Sequence, residues 1–184
     1  MKTLLDLLIE NDHYYEHVGK QNRTDKELRH KYCSLFYNEY FKPYQHKEIT
    51  LLEVGICHGG SLLLWNEYFH HAHIIGVDNS DQTNSLLNSY ERITTHFNDA
   101  YSQEFANKLP MLDIAIDDGP HTVDSQLKFI ELFFPKLKEG GMLVIEDIAN
   151  LNPLLEFVKT YKHSVFDNTK NVGTHDSVIL AIWK

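Results

Sequence analysis

The sequence has few cysteines, no clustered positive charge and no long apolar run. Two cysteines, Cys33 and Cys57, in 184 residues argue against a secreted disulfide framework, and we expect Cys57 to be a free thiol. A formal net charge of -9 argues against a general binder of phosphate backbones, so we expect no nucleic-acid partner. No apolar run approaches the length of a membrane span, and no linker or repeat divides the chain.

The N-terminal stretch does not have the pattern of a signal peptide. Asp6 and Glu10 interrupt its apolar residues, and no small-residue cleavage site follows. We therefore expect a cytoplasmic protein with no membrane partner. A hydrophobic fraction of 42% in a chain of this length is enough to bury the core of one domain.

The stretch from Thr50 to Trp65 predicts a strand, a glycine turn and a helix. A short apolar run over 51–55 is typical of a buried strand, and apolar residues at helical spacing begin after Ser61. The intervening glycines let the backbone turn sharply and let a ligand lie against it. The exposed amides at the start of the helix would face that ligand.

Alternating apolar segments predict a doubly wound, mostly parallel Rossmann-like α/β sheet with helices on both faces. The seven predicted strands cover residues 51–55, 74–78, 93–97, 112–117, 142–146, 164–166 and 177–183. The clearest helix between them runs from Thr122 to Phe134, with Thr122 as its N-cap. Asn152-Pro153 is typical of another helix start.

Residues 1–49 are predicted to form a helical cap ahead of one compact domain of residues 50–184. A short amphipathic helix is expected near the start and a longer one from Thr24 to Phe41, which Pro43 ends. The polar and aromatic segment His13–His17 lies between them. We expect such a cap either to contact substrate or only to pack on the domain, and its aromatic residues favour a homo-oligomer.

Ligands of this fold bind outside the carboxyl ends of the strands, where the glycine turn and Asp78 both fall. An acid about 20 residues past the glycines is suited to accept hydrogen bonds from an adenosine ribose. These features do not by themselves distinguish NAD from S-adenosylmethionine. Glu53, in the first strand, and the departure from G-x-G-x-x-G both disfavour a pyrophosphate. Asn98 and Asp99 are placed for the adenine, and a helix cap is the alternative for Asp99.

Two acidic pairs follow the fourth and fifth strands, Asp117-Asp118 and Glu146-Asp147. Adjacent parallel strands would bring them together, and carboxylates packed so closely require a cation. Mg²⁺ is the natural partner because it prefers oxygen ligands; helix capping by these acids is the alternative. His121 lies in the turn after Asp118, where an imidazole is suited to take a proton near neutral pH.

Together these motifs resemble the class I S-adenosylmethionine-dependent methyltransferases, and most closely their macrocin O-methyltransferase branch, which includes macrolide-sugar and rhamnosyl O-methyltransferases. The resemblance rests on segments 53–55, 59–61, 76–78, 117–121, 140–141 and 145–147. The segment 24–26, with His30 and Tyr32, is also similar to the family's sequence ahead of the first strand. Pro120 stands where the family usually has Ser.

The resemblance implies a Mg²⁺-dependent enzyme that transfers a methyl group from S-adenosylmethionine to a hydroxyl of a small molecule, in the first place a sugar or glycosylated natural product. It implies His121 as the general base. The implied metal ligands are Asp118, Glu146 and Asp147. The predicted cofactor contacts are Glu53, Gly55, Cys57, Gly59, Ser61, Asp78, Asn79, Asp99, Ala100 and Asp117. A catechol-type acceptor and a non-catalytic adenosine-ligand binding protein are the alternatives.

Overall fold

A seven-stranded sheet forms the centre of the computed structural model, which describes residues 2–10, 24–80 and 85–184. In chain order the strands are Glu48–Val54 (β1), His71–Asp78 (β2), Ile93–Phe97 (β3), Leu112–Asp117 (β4), Leu137–Ile145 (β5), Lys162–Asp167 (β6) and Val178–Trp183 (β7). Their order in the sheet is β3-β2-β1-β4-β5-β7-β6. The first five pair in parallel, and β7 pairs antiparallel with both β5 and β6. The predicted Rossmann-like, mostly parallel sheet is confirmed.

Short helices precede the first strand and connect the others. They are Leu4–Glu10 (α1), Asn38–Phe41 (α2), Gly60–Tyr68 (α3), Gln103–Lys108 (α4), Val123–Phe133 (α5), Asn152–Val158 (α6) and Thr169–Val172 (α7). A π-helix, Cys33–Tyr37, leads directly into α2, and 3-10 turns span Lys42–Tyr44 and Ser85–Ser89. Thr122 is the N-cap of α5, as predicted, because its hydroxyl accepts a hydrogen bond from the Ser125 amide at 3.1 Å.

The sheet has a hydrophobic core on each face, because successive residues of a strand point to opposite sides. On one face Leu51 packs with α1, the π-helix and α3. On the other face Leu52 packs with α4, α5 and α6. The helices before β1 therefore contribute to the same core as the sheet, and the predicted division of the chain at residue 49 stays a prediction.

The predicted helix from Thr24 to Phe41 is wrong in its first half. Residues 25–30 form turns, and Lys31 adopts a φ of 61°, a left-handed conformation that interrupts a helix. Helical structure begins only after Lys31, and the 3-10 turn continues it past Pro43. Leu35, in the π-helix, is 50% exposed.

Several strand boundaries also differ from the prediction, and glycines decide two of them. β1 ends at Val54, because Gly55 has a φ of 84° and leaves the strand. β5 begins at Leu137, five residues before the predicted start at Met142. Gly140, with a φ of 75°, lies where the register between β4 and β5 shifts, so the glycines form a bulge within the strand instead of a break before it.

The fold does not decide the predictions about the segment His13–His17, the cellular location and the oligomeric state. The segment His13–His17 lies outside the described residues. Within the described ranges no helix combines the length and apolar character needed to cross a membrane. The cytoplasmic location and the homo-oligomer stay predictions.

Gly55→Ala is expected to cost more stability than its left-handed backbone alone would explain. A Cβ at this position would lie 2.0 Å from the backbone oxygen of Asp118, which the sheet holds in place. Gly140→Ala is the matched control, because its φ is also positive but its Cβ would meet nothing within 4 Å. The control should lose about 1–2 kcal/mol of unfolding free energy in urea and Gly55→Ala clearly more. Equal losses would contradict the steric argument.

Candidate active site

The predicted site residues lie at the edge of the sheet where the parallel strands end. Backbone hydrogen bonds continue past the strand ends, so that the Asp118 amide donates to the Val54 carbonyl at 2.8 Å and the Glu146 amide donates to the Asp117 carbonyl at 3.0 Å. These bonds fix the residues that follow β4 and β5 against their neighbours. The two acidic pairs therefore lie side by side, as the strand order required.

A cavity of about 380 Å³ opens beside the glycine turn, a size typical of small-molecule sites. Six of the predicted cofactor contacts line it: Gly55, Cys57, Asp78, Asn79, Asp99 and Ala100. The remaining wall consists of Val54, Val77, Asn98, Tyr101, Asp118, Gly119 and Pro120. The structure thus gathers residues that follow β1, β2, β3 and β4 around one space.

Asp78 is held in a fixed orientation at the wall of this cavity. Its Oδ2 accepts a hydrogen bond from the Cys57 amide at 2.9 Å, and its Oδ1 accepts one from the Ser80 amide at 2.9 Å. Cys57, a free thiol as predicted, has a φ of 46°. A carboxylate has about four lone-pair sites, so these two contacts leave Asp78 able to accept hydrogen bonds from a ligand.

Four predicted cofactor contacts lie outside the cavity wall, and their role stays a prediction. They are Glu53, Gly59, Ser61 and Asp117. Glu53 is fully buried, where its Oε2 accepts a hydrogen bond from the indole N–H of Trp65 at 2.7 Å. Gly59 and Ser61 are buried at the start of α3.

Tyr101, which sequence reasoning missed, joins the cavity wall to the end of β4. Its hydroxyl donates to Asp117 Oδ1 at 2.5 Å. Burial raises the pKa of Asp117 to about 7, against the opposing effect of hydrogen bonds from Tyr101 and the Gly119 amide. Burial also raises the pKa of Tyr101, so its hydroxyl remains a donor. Asp117 therefore lies behind the cavity wall and holds the Tyr101 side chain in place there.

Asp118, His121 and Asp147 form a cluster in which one ligand atom of each lies within 4.8 Å of the others. His121 Nε2 is 3.9 Å from Asp118 Oδ1 and 3.9 Å from Asp147 Oδ2. His121 and Asp147 have left-handed φ angles of 57° and 52°. Such residues cost about 1–3 kcal/mol each and are concentrated at functional sites.

The His121 imidazole is suited to accept a proton. Burial lowers its pKa, although the charge of Asp147 opposes the shift. A histidine with a lowered pKa is neutral at neutral pH, which is the form that a general base needs. Its side chain is 38% exposed, so a ligand can reach it.

Lys26, also missed by sequence reasoning, lies on the buried side of the same cluster. Its Nζ is 2.6 Å from Glu146 Oε2, 2.7 Å from Asp118 Oδ2 and 3.2 Å from Glu53 Oε1. Burial alone would lower the pKa of Lys26, but the three carboxylates outweigh it and raise that pKa well above its usual range. The ammonium group is therefore charged. The similarity of segment 24–26 to a family sequence was its one signal.

Glu146, predicted as a metal ligand, has both carboxylate oxygens in contact with the protein. Oε2 accepts from Lys26, and Oε1 accepts from the Tyr37 hydroxyl. Burial raises the pKa of Glu146 to about 7, while the charge of Lys26 opposes the shift. Two donors leave further lone-pair sites on this carboxylate, and its role as a ligand stays a prediction.

Tyr32 and His30, which belong to the segment before β1, hold Asp147 in place. The Tyr32 hydroxyl donates to Asp147 Oδ1 at 2.8 Å, and its ring stacks on His30 with centroids 4.9 Å apart. His30 Nδ1 lies 2.8 Å from Ser177 Oγ, and the His30 carbonyl accepts from Asn168 Nδ2 at 3.0 Å. The segment before β1 is therefore fastened to residues beside β7.

The comparison with known families now identifies the class of protein. Residues 52–148 match a family described as a methyltransferase domain. This match spans more than half of the 184 residues, and the chain belongs to this methyltransferase family. The family favours S-adenosylmethionine over NAD as the adenosine ligand of the cavity.

Several relatives are named as sugar O-methyltransferases. Demethylmacrocin O-methyltransferase of Streptomyces fradiae is 33% identical over 141 residues, which cover 68% of this chain and 35% of that protein. The 8-demethyl-8-alpha-L-rhamnosyl tetracenomycin-C 2'-O-methyltransferase of Streptomyces olivaceus is 29% identical over 139 residues, covering 71% of this chain and 36% of that protein. The chain thus spans about a third of the length of these relatives.

A solved structure has the same fold. The MycE methyltransferase of mycinamycin biosynthesis, in complex with Mg, SAH and mycinamycin VI, matches with a TM-score of 0.74. It is 21% identical, and the match covers 100% of this chain and 53% of that chain. At this identity the match concerns the fold alone; the predicted macrocin-like branch is supported by the relatives named above.

Tyr101→Phe is expected to destabilise the protein by about 1–3 kcal/mol, because the buried Asp117 carboxylate loses a donor. The loss should be larger above pH 7 than below, since only the ionised carboxylate requires that donor. Tyr161→Phe, which alters a ring 37% exposed, is the control and should change stability by less than about 0.5 kcal/mol. Urea unfolding at the two pH values measures both, and similar losses in the two variants would refute the supporting role of Tyr101.

Proposed function

We propose that this chain is an S-adenosylmethionine-dependent O-methyltransferase that acts on a hydroxyl of a sugar or glycosylated natural product and uses Mg²⁺. The position of Asp118 carries the proposal, because this residue lines the cavity and also belongs to the cluster with His121 and Asp147. A methyl donor in the cavity would thus lie next to an acceptor beside His121. The names of the relatives support the sugar as acceptor.

The cavity suits an adenosine-containing donor. Asp78 would accept hydrogen bonds from the ribose hydroxyls, since the amides of Cys57 and Ser80 already fix its orientation. Asn98 and Asp99, further along the wall, would face the adenine. S-adenosylmethionine supplies an electrophilic methyl group, and these residues would hold it toward Asp118.

The acidic cluster suits Mg²⁺. Asp118 and Asp147 each direct an oxygen toward His121, and Glu146 would be the third carboxylate ligand through a lone pair that its present donors leave free. Hard oxygen donors are the ligands that this ion prefers. When bound, Mg²⁺ lowers the pKa of a hydroxyl group next to it.

His121 would then accept the acceptor's proton on Nε2, the atom that faces the two aspartates. The neutral imidazole is ready for this step because burial lowers its pKa. Because Asp118 belongs to both the cavity and the cluster, the methyl donor and the acceptor would lie next to each other. Most of the rate acceleration would come from holding the two in line.

The first test is the calorimetric binding of S-adenosylhomocysteine to the purified protein, with and without Mg²⁺. We expect micromolar binding, and a separate heat of Mg²⁺ binding that Asp118→Ala abolishes because it removes a ligand oxygen. Asp124→Ala, in the exposed first turn of α5, is the control and should keep that heat. Absence of S-adenosylhomocysteine binding would contradict the proposed donor, and Mg²⁺ binding by Asp118→Ala would contradict the ligand assignment.

His121→Asn should lower the rate of methyl transfer by about 10²- to 10⁴-fold, the usual contribution of a general base. Asn tolerates the left-handed φ of 57° at this position better than Ala does, so the backbone should be preserved. His163→Asn, at an exposed histidine of β6, should leave the rate unchanged.

The rate is measured with a panel of sugar and catechol acceptors, and S-adenosylhomocysteine affinity is measured in parallel. Equal loss of rate and affinity in His121→Asn would mean a binding or folding role for His121. Turnover of catechols with no sugar accepted would contradict the proposed acceptor class.

A further inference from the structure

On their buried side, here called the inner side, carboxylates at the sheet edge surround the ammonium of Lys26. Glu53 Oε1, Asp118 Oδ2 and Glu146 Oε2 enclose it at 3.2, 2.7 and 2.6 Å. The Lys26 side chain is 1% exposed, so water does not screen these charges. An ammonium has three N–H donors, and here three carboxylates surround them.

On their other side, here called the outer side, carboxylates of this edge face His121. Asp118 Oδ1 and Asp147 Oδ2 each lie 3.9 Å from His121 Nε2. Asp147 also divides its oxygens, since Oδ1 accepts from Tyr32 and only Oδ2 faces outward. Two aspartates thus each keep one oxygen for buried donors and one for the outer side.

The inner side would compete for a divalent cation if it lacked the ammonium. It brings together oxygens of three carboxylates, and charge attraction is stronger there because the side is buried. An ion drawn to it would bind Asp118 by Oδ2, the oxygen that does not face His121. The acceptor hydroxyl beside that ion would then be misplaced relative to the base.

We infer that Lys26 is a positioning residue whose ammonium excludes the divalent cation from the inner side and so keeps it on the outer side, beside His121. The inference rests on the proposed function, because it assumes that the cluster binds such an ion. It assigns to Lys26 a role in locating the metal that differs from simple stabilisation of the fold.

Lys26→Met tests this role by titration with Mn²⁺, whose free form is counted by electron paramagnetic resonance. Without the ammonium, the metal-free variant should melt at a lower temperature, because buried carboxylates lose their counter-charge. Mn²⁺ should bind at least about tenfold more tightly than to the wild type, since a nearby positive charge is gone. Broadening of the His121 ring signals by bound Mn²⁺ should decrease, because the ion has moved inward.

Lys138→Met, which removes a lysine paired with Asp113 at the other end of β4, should retain wild-type Mn²⁺ affinity. A purely structural role for Lys26 would lower stability and Mn²⁺ affinity together. Equal or weaker Mn²⁺ binding by Lys26→Met therefore overturns the inference while leaving the proposed function intact. No Mn²⁺ binding by the wild type would overturn both the inference and the metal part of the proposed function.

A double variant keeps the test decisive if Lys26→Met does not fold. Lys26→Met with Glu53→Gln removes one charge of each sign, and the amide oxygen of the new side chain can still accept from the Trp65 indole. It should melt at a higher temperature than the single variant and still bind Mn²⁺ more tightly than the wild type. Mn²⁺ binding no tighter than that of the wild type overturns the inference here too.

Discussion

The ion cluster around Lys26 is the interaction on which the acidic edge of the sheet depends. Parallel strands end at one edge, so β1, β4 and β5 necessarily bring Glu53, Asp118 and Glu146 into the same small volume. Burial first, and then repulsion from neighbouring carboxylates, disfavours the ionised forms of Asp118 and Glu146. One ammonium from a segment before the sheet offsets part of that cost. The segment at residues 24–32 is therefore part of the candidate site, although most of it forms turns.

The sheet was predictable because buried parallel strands have strong local patterns. Apolar runs separated by helical stretches indicated all seven strands. The parallel pairing of the first five places their carboxyl ends at one edge. The errors occur where a single backbone angle decides the structure. Lys31 interrupts a helix by a left-handed φ that an ordinary lysine gives no reason to expect, and the bulge at Gly140 lengthens β5 through a residue pair that is equally typical of a loop.

In the candidate site, too, local sequence determines the positions of some residues, and contacts with distant parts of the chain determine those of others. Asp78, Asp118 and His121 were predictable because a residue directly after a parallel strand has little freedom to lie elsewhere than the ligand edge. Lys26 and Tyr101 were not, because their contacts depend on a turn segment before β1 and on a ring after β3 that reaches the end of β4, with β2 and β1 between those two strands in the sheet. The composition around both positions is that of an ordinary surface segment, and the one signal for Lys26 was the similarity of segment 24–26 to a family sequence.

The contacts of His30 have a consequence for the order in which the molecule folds. Its ring and carbonyl meet Ser177 and Asn168, which are 147 and 138 residues away along the chain. Closing loops of this length costs chain entropy before the contacts compensate it, and contacts between distant residues form slowly. The segment that carries Lys26 and Tyr32 precedes the sheet, but its His30 contacts can form only once Asn168 and Ser177 are in place. The fastening of this segment, which supplies Lys26 and Tyr32 to the acidic edge of the sheet, is accordingly expected to be a late event in folding.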